Sequence, residues 1–220
     1  MLQESIARLH TPDRSHPPRL IPRDDMGRVV YLTGAPATGK TTVCDSLVGT
    51  NRNLTVHSYS RLLRAHIEAR AGKVLATADI RAQSGTVVTR SDVAEVDHQL
   101  LQLVERDRQT GDVIIDSHPV TKESYGFRVT PFVPDHLKAL AIDSIVCLYA
   151  PAEVLRQRIM AAPEGRPLPS DYELSMHVQT QASLAAQYAV LAGCACHLVD
   201  SSGSPEELLA RLTPIFRFNV

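Results

Sequence analysis

The sequence predicts an α/β fold of three layers, in which a five-stranded parallel sheet lies between two layers of helices. Short β-branched runs alternate with longer amphipathic stretches, and this alternation is typical of βαβ units. Each predicted strand is almost continuously apolar, as expected for a strand that helices cover on both faces. A length of 220 residues suits a single domain of this kind.

The predicted elements follow from these patterns in chain order. The five strands are expected at residues 28–32, 54–58, 112–116, 144–149 and 195–199. Between the second and third strands, residues 91–108 carry apolar side chains at spacings of 3, 4 and 7, which indicates a surface helix. Capping boxes at Ser170–Glu173 and Ser204–Glu207 predict that the last two helices cover about 171–192 and 204–213.

The first 27 residues differ from the rest of the chain. Prolines 12, 17, 18 and 22 interrupt this segment, which predicts an irregular N-terminal arm. Disorder in solution and docking on a neighbour are both compatible with its composition. Residues 28–220 are expected to form the single domain.

Composition excludes several classes of function. The chain has 23 Lys and Arg against 24 Asp and Glu, so neither a general nucleic-acid binder nor a binder of anionic membranes is expected. No apolar run is long enough to span a bilayer. The four cysteines are too unevenly spaced for a disulfide framework or a zinc site, which favours free thiols and a cytoplasmic location.

One motif is highly specific. The segment from Gly34 to Thr41 satisfies G-x-x-x-x-G-K-[ST] and lies between a predicted strand and a predicted helix. Backbone amides of such a loop surround phosphates, the lysine contacts the β- and γ-phosphates, and the last hydroxyl faces Mg²⁺. The sequence therefore predicts an ATP and Mg²⁺ site formed by Gly34, Ala35, Pro36, Ala37, Thr38, Gly39, Lys40, Thr41 and Thr42. The motif therefore predicts the fold of a P-loop NTPase.

Asp116 is the candidate acid of this site. It ends the predicted strand 112–116, at the sheet edge where open α/β sheets bind their ligands. A carboxylate there is expected to hold Mg²⁺ together with Thr41. It is also the nearest candidate for a general base, with His118 and His57 as further candidates.

Three further segments resemble the adenylate kinases, most closely the archaeal type. Residues 58–65, S-Y-S-R-L-L-R-A, are similar to the S-T-G-D-L-L-R-A segment of adenylate kinases. Residues 116–126 resemble D-T-H-A-V-I-R-T-P-S-G of the archaeal-type enzymes, and residues 189–193 read A-V-L-A-G as they do in that group. With the phosphate loop, these segments cover about residues 28–213.

The resemblance implies an acceptor-binding region at about 58–108 and a phosphate acceptor bound mainly by Arg64. It implies further acceptor contacts from Ser58, Arg61, His118 and Lys122. The chain departs from the family pattern where Ser60-Arg61 replaces Gly-Asp, where Lys122 replaces Arg, and where Ala182 stands at another Arg position. These departures concern the acceptor and leave the kinase interpretation intact.

A short lid is expected at about 161–170, where three prolines and a glycine fall within nine residues. The resemblance assigns Arg156 and Arg166, with Arg158 as a further candidate, to the transferring end of the triphosphate. Guanidinium groups there offset the charge of the transition state.

These observations predict ATP- and Mg²⁺-dependent phosphoryl transfer to a nucleoside monophosphate, with AMP as the first candidate. Two alternatives stay open: a kinase for another small molecule, such as a nucleoside or an antibiotic-like alcohol, and an ATP-binding regulator or slow ATPase. The expected partner is a small-molecule phosphate acceptor, and self-association is possible.

Overall fold

Five parallel strands form the central sheet of the computed structural model, which describes residues 26–72, 88–162 and 168–216. In chain order the described strands are β1 (Val29–Gly34), β2 (Leu54–Ser58), β3 (Asp112–Asp116), β4 (Val120–Glu123), β5 (Gly126–Val129), β6 (Ser144–Tyr149) and β7 (Ala195–Asp200). The described helices are α1 (Lys40–Thr50), α2 (Tyr59–Ala71), α3 (Arg90–Asp107), α4 (Pro134–Ala139), α5 (Ala152–Ala161), α6 (Asp171–Ala192) and α7 (Pro205–Phe216).

The strand order of the large sheet is β2-β3-β1-β6-β7, so β1 lies at the centre and pairs with β3 and β6. In the register, Asp116 lies beside Leu32 of β1 on one side and beside Ser58 of β2 on the other. The loops that leave β1, β2 and β3 therefore emerge next to one another at a single edge of the sheet.

Alternation along β1 explains the three layers. Val29 and Tyr31 pack into one core with residues of α3, α4 and α6, whereas Val30 and Leu32 pack into a second core with residues of α1 and α7. All four side chains have no exposed surface. A strand with both faces covered must be apolar at every position, as the sequence pattern predicted.

The predicted fold class is confirmed, with small shifts at the ends of elements. Strand β1 continues to Gly34, two residues beyond the predicted end. Helix α7 continues to Phe216 rather than to 213, because Leu212 and Phe216 are both buried against the sheet. The capping box at Ser170 forms both of its hydrogen bonds with Glu173. Most of the N-terminal arm and residues 163–167 of the predicted lid lie outside the described residues.

A hairpin between β3 and α4 was not predicted from the sequence. Strands β4 and β5 pair antiparallel, and the chain reverses at Gly126, whose φ of 138° favours glycine. Helix α6 holds this hairpin: His177 Nε2 lies 3.0 Å from the carbonyl oxygen of Val120, and Lys122 Nζ lies 3.1 Å from Oε1 of Glu173. The hairpin adds a wall beside the sheet edge at which β3 ends.

Asp92 joins α2 to the beginning of α3. Its carboxylate completes a capping box with Thr89, accepts a hydrogen bond from Arg70 at 2.6 Å, and lies 3.1 Å from His66 Nε2. Burial raises the pKa of Asp92, but the hydrogen bonds from Thr89 and the charge of Arg70 outweigh it and lower the pKa to about 2. The carboxylate form of Asp92 therefore stabilises the fold.

Replacing this carboxylate is expected to destabilise the protein. Asp92→Asn should lower the free energy of unfolding by about 1–3 kcal/mol at pH 7, through loss of the cap and of the charged hydrogen bonds. The pKa is lower in the folded state, so this stabilisation is present above about pH 4 and is lost as the pH falls toward about 2. Urea titrations at pH 7 and pH 3 measure both effects.

The matched control is Glu95→Gln, on the exposed face of the same helix, which should change the free energy of unfolding by less than about 0.5 kcal/mol. Equal stability of the wild type and Asp92→Asn at pH 7 would contradict the prediction.

Candidate active site

The loop between β1 and α1 has the backbone conformation that its glycines allow. Gly34 and Gly39 have φ of 149° and 90°, and Ala37 between them has φ of 64°. A Cβ at position 34 would lie 2.6 Å from the carbonyl oxygen of Leu148, so the loop could not approach β6 with any larger residue there. The loop curves tightly into the N-terminus of α1, which is the arrangement that binds phosphate.

Side chains of the loop stabilise this curve from inside. The Thr38 hydroxyl donates to the carbonyl oxygen of Ala35 at 2.8 Å. Lys40 Nζ donates to the carbonyl oxygens of Gly34 at 2.8 Å and of Ala35 at 3.3 Å. The ammonium group thus lies over the concave side of the loop, where a β- or γ-phosphate is expected.

Arg158 of α5 joins the phosphate loop to the loop between β7 and α7. Its guanidinium donates to the carbonyl oxygen of Ala37 at 3.3 Å and to that of Ser201 at 2.7 Å, with longer bonds to Ser202 and Gly203. Ala37 is the non-glycine residue of the loop with positive φ, a conformation that needs support from its surroundings. These contacts hold the phosphate loop at Ala37, and the expected contact of Arg158 with the triphosphate stays a prediction.

Asp116 is half-buried beside this loop. Its Oδ1 atom is buried and accepts no hydrogen bond within the described chain. Burial raises the pKa of Asp116, and the charges of Lys40 and Arg61 and the Ser58 hydroxyl counter that rise in part. A buried carboxylate oxygen with no partner, close to two cations, fits a group that a metal ion or a reacting hydroxyl completes.

A pocket continues from Asp116 between α2, α3 and the β4–β5 hairpin. It begins with Ser117 and His118, which follow β3, and with Tyr59 and Ser60, which follow β2. Its walls are formed by residues of α2, α3, the hairpin and the segment after it, namely Leu63, Val88, Val93, Asp97, Pro119, Thr121, Arg128, Thr130, Pro131 and Phe132. The pocket therefore opens at the sheet edge that carries the phosphate loop.

The structure brings some of the predicted acceptor residues to this crevice. Ser58 lies beside Asp116, and His118 lines the pocket. Arg61 lies close enough to Asp116 for its charge to lower the pKa of that carboxyl. Arg64 is half-buried on α2, and among the described residues it forms no hydrogen bond or ion pair.

Lys122 and His57 do not line the pocket. Lys122 lies outside the pocket lining, pairs with Glu173, and donates to the carbonyl oxygen of Glu123 at 2.9 Å. From the same hairpin, Arg128 lines the pocket instead. His57 Nε2 lies 2.9 Å from Oδ2 of Asp107, and burial lowers the pKa of this histidine, so its imidazole is held in a contact between β2 and α3.

Of the arginines assigned to the lid region, the structure describes Arg156 and Arg158 but not Arg166. Arg156 pairs with Asp171 at 3.2 Å, which joins α5 to the beginning of α6 across the predicted lid. Arg166 lies outside the described residues, so its expected contact with the triphosphate stays a prediction.

Two groups of residues were missed by the sequence analysis. Tyr59, Asp97 and Arg128 line the pocket; Tyr59 lies in the segment 58–65 but was not named as a site residue, and Asp97 and Arg128 belong to no motif. Gln181 is almost fully buried and donates to the Thr33 hydroxyl at 2.8 Å, which connects α6 to the end of β1. A buried glutamine in the middle of an apolar helix face was the available signal for that contact.

The described residues contain no group of three or more His, Cys, Asp or Glu side chains suited to hold a metal ion by themselves. The Mg²⁺ site predicted from the sequence is of a different type, in which one or two protein oxygens act together with substrate phosphates and waters. The unpartnered Oδ1 of Asp116 and the hydroxyl of Thr41, at the N-terminus of α1, fit that role.

The strand order, the phosphate loop and the adjoining pocket define a P-loop protein with the fold of small-molecule kinases. The chain belongs to the family described as AAA domain (AAA_17), whose sequence model matches residues 33–176. No curated protein sequence matches the chain.

Two solved structures illustrate the similarity of fold. Shikimate kinase from Bacteroides thetaiotaomicron superposes with a TM-score of 0.53 at 18% identity, covering 86% of this chain and 98% of that one. A sugar kinase from Janibacter sp. HTCC2649 superposes with a TM-score of 0.53 at 19% identity, covering 86% of this chain and 93% of that one. At these identities the likeness shows a shared fold.

Among the described residues, no helix is long and apolar enough to cross a membrane.

Removing the Arg158 guanidinium is expected to loosen the phosphate loop. Arg158→Ala should weaken binding of a fluorescent ATP analogue by about 10-fold or more, because hydrogen bonds to a charged group contribute about 1.5–3 kcal/mol. Equilibrium fluorescence titration measures the affinity, and thermal unfolding without nucleotide separates it from global stability.

Arg211→Ala is the matched control, since Arg211 also donates to a backbone carbonyl, that of Asp200 at 2.8 Å, but does not contact the phosphate loop. Unchanged affinity in Arg158→Ala would show that the loop holds its shape without this contact.

Proposed function

We propose that the protein is an ATP- and Mg²⁺-dependent kinase that phosphorylates a small molecule bound in the pocket between α2, α3 and the β4–β5 hairpin. The observation that carries this proposal is Asp116. Its buried, unpartnered carboxylate oxygen lies between the phosphate loop and the first residues of the pocket. The AAA domain family and the kinase neighbours support the same activity.

The triphosphate is bound by backbone amides at the N-terminus of α1 and by Lys40, which lies over the concave side of the loop. Arg156, which pairs with Asp171 at 3.2 Å, is the proposed lid contact of the triphosphate and would give up that partner to bind a phosphate oxygen. The positive charge of these groups offsets the charge on the transferred phosphoryl group.

Thr41 and Asp116 would hold Mg²⁺, directly or through water. When bound, the ion supplies charge neutralisation between the β- and γ-phosphates. The protein oxygens contribute by fixing its position relative to Lys40.

The acceptor hydroxyl attacks the γ-phosphorus in line. The bond between its oxygen and phosphorus forms as the bond from phosphorus to the β,γ-bridging oxygen breaks, and ADP leaves. For an alcohol acceptor, Asp116 accepts the hydroxyl proton, and its raised pKa suits that task. A phosphate acceptor is already an anion and needs no base.

Two acceptor classes fit the pocket. An unphosphorylated alcohol is favoured because Lys122, implied by the resemblance as a phosphate contact, pairs with Glu173 outside the pocket. A nucleoside monophosphate such as AMP, the acceptor of adenylate kinases, is the second candidate, favoured by Arg64, which forms no ion pair among the described residues.

An acceptor screen tests the proposal. The protein with ATP and Mg²⁺ should convert at least one compound of a panel of nucleosides, nucleoside monophosphates, sugars and hydroxylated ring acids to a product heavier by one phosphoryl group. Mass spectrometry detects the product, and Lys40→Ala is the inactive control. ATP consumption that no panel compound stimulates would count against a kinase and favour a slow ATPase.

Asp116→Asn should lower kcat by about 100- to 10,000-fold for an alcohol acceptor, because the amide cannot accept a proton and is a weak ligand for Mg²⁺. Affinity for an ATP analogue without Mg²⁺ should change little.

The matched control is Asp45→Asn, an exposed carboxylate on α1, which should retain wild-type kcat. An Asp116→Asn variant with wild-type kcat would remove Asp116 from the mechanism.

A further inference from the structure

The pocket contains a buried acid that the proposed transfer reaction does not use. Asp97 is only 5% exposed, yet it lines the pocket together with Val93, one helical turn earlier on α3. Leu63, Tyr59 and Phe132 line the same pocket. An acid in such apolar surroundings is costly unless hydrogen-bond donors surround it.

The described chain supplies few donors to Asp97. The Tyr59 hydroxyl donates to Oδ1 at 2.7 Å. Nδ1 of His136, on α4, lies 3.5 Å from Oδ2, too far for a strong hydrogen bond. A carboxylate can accept about four hydrogen bonds, so one good bond and one long contact leave accepting capacity unused.

The remaining pocket surface indicates what could use that capacity. The lining is mixed: Val93, Leu63, Phe132, Pro119 and Pro131 offer apolar contact, and the polar members are Ser60, Ser117, His118, Thr121, Arg128 and Thr130. Among the described residues, the one short hydrogen bond to Asp97 comes from Tyr59, so a ligand group that uses the remaining capacity must itself carry the donor.

We propose that Asp97 is a specificity-determining residue that accepts a hydrogen bond from an amino or hydroxyl group of the phosphate acceptor, other than the oxygen that receives the phosphoryl group. This inference rests on the proposed kinase function. It defines the acceptor as a small molecule with two polar ends: a nucleophilic oxygen near Asp116 and a hydrogen-bond donor near Asp97. Tyr59 is a positioning residue, because its hydroxyl fixes the orientation of the carboxylate.

A purely structural role for Asp97 makes a different prediction. If the carboxylate only joined α2 to α4 through Tyr59 and His136, its replacement would lower stability and would not change the choice between acceptors. Asp97→Asn retains one oxygen that can accept from Tyr59 but loses the second accepting oxygen. The ratio of kcat/KM between two acceptors that differ only in the donor therefore separates the two roles.

The experiment compares pairs of acceptors with and without the donor group. The pairs are adenosine with purine riboside, AMP with purine riboside monophosphate, and D-glucosamine with 2-deoxy-D-glucose. In at least one pair, kcat/KM of the wild type should favour the donor-bearing compound by about 10- to 100-fold. Asp97→Asn should reduce that preference to less than about 3-fold, with the KM for ATP unchanged.

Glu95→Gln, exposed on the same helix, should keep the wild-type preference. Tyr59→Phe should reduce the preference in part, because the carboxylate stays but loses its orienting donor. Thermal unfolding of each variant identifies loss of activity that results from loss of fold.

The outcomes separate this inference from the proposed function. Turnover of both members of each pair at similar kcat/KM, or a preference that survives in Asp97→Asn, would overturn the inference and leave the kinase in place. Absence of turnover with every compound would overturn the proposed function, and the inference with it.

Discussion

The site depends on the central position of β1. Because β1 lies between β3 and β6, both of its edges are hydrogen-bonded to other strands, and its chain leaves the sheet at its C-terminal end through a loop that curves against Leu148. The same pairing places Asp116 beside Leu32, next to the beginning of that loop. One set of strand contacts therefore brings together the phosphate-binding backbone and the acid.

This constraint explains which parts of the molecule the sequence predicted. Local sequence patterns predict strands that are buried on both faces and helices that begin with a capping residue. The phosphate loop is a contiguous motif, and its positions 34 and 39 favour glycine because their φ angles are positive. Asp116 was predictable because it ends an apolar strand. The structure confirms the fold on these grounds.

The acceptor pocket was less predictable, for a physical reason. Its residues come from α2, α3 and a hairpin that are distant in sequence, and the hairpin is held in place by contacts with His177 and Glu173 of α6. In the hairpin, Lys122 lies opposite Phe127 and Arg128 lies opposite Thr121, yet only Arg128 lines the pocket. The pairing of β4 with β5 decides which of these two cations lines the pocket, and local sequence patterns do not predict that pairing.

Charge distribution reconciles a nearly neutral chain with an anionic substrate. Most cations of the described chain pair with acids or backbone carbonyls, as Arg70 does with Asp92 and Arg158 does with Ser201. Lys40, whose carbonyl partners belong to the phosphate loop itself, and Arg61 both lie close enough to Asp116 for their charges to counter the cost of burying that carboxylate. Two cations beside one buried acid favour an anionic ligand at this sheet edge, although the net charge of the chain is near zero. Under the proposed function, the nucleophilic oxygen of the acceptor lies at this edge, and its hydrogen-bond donor lies at Asp97.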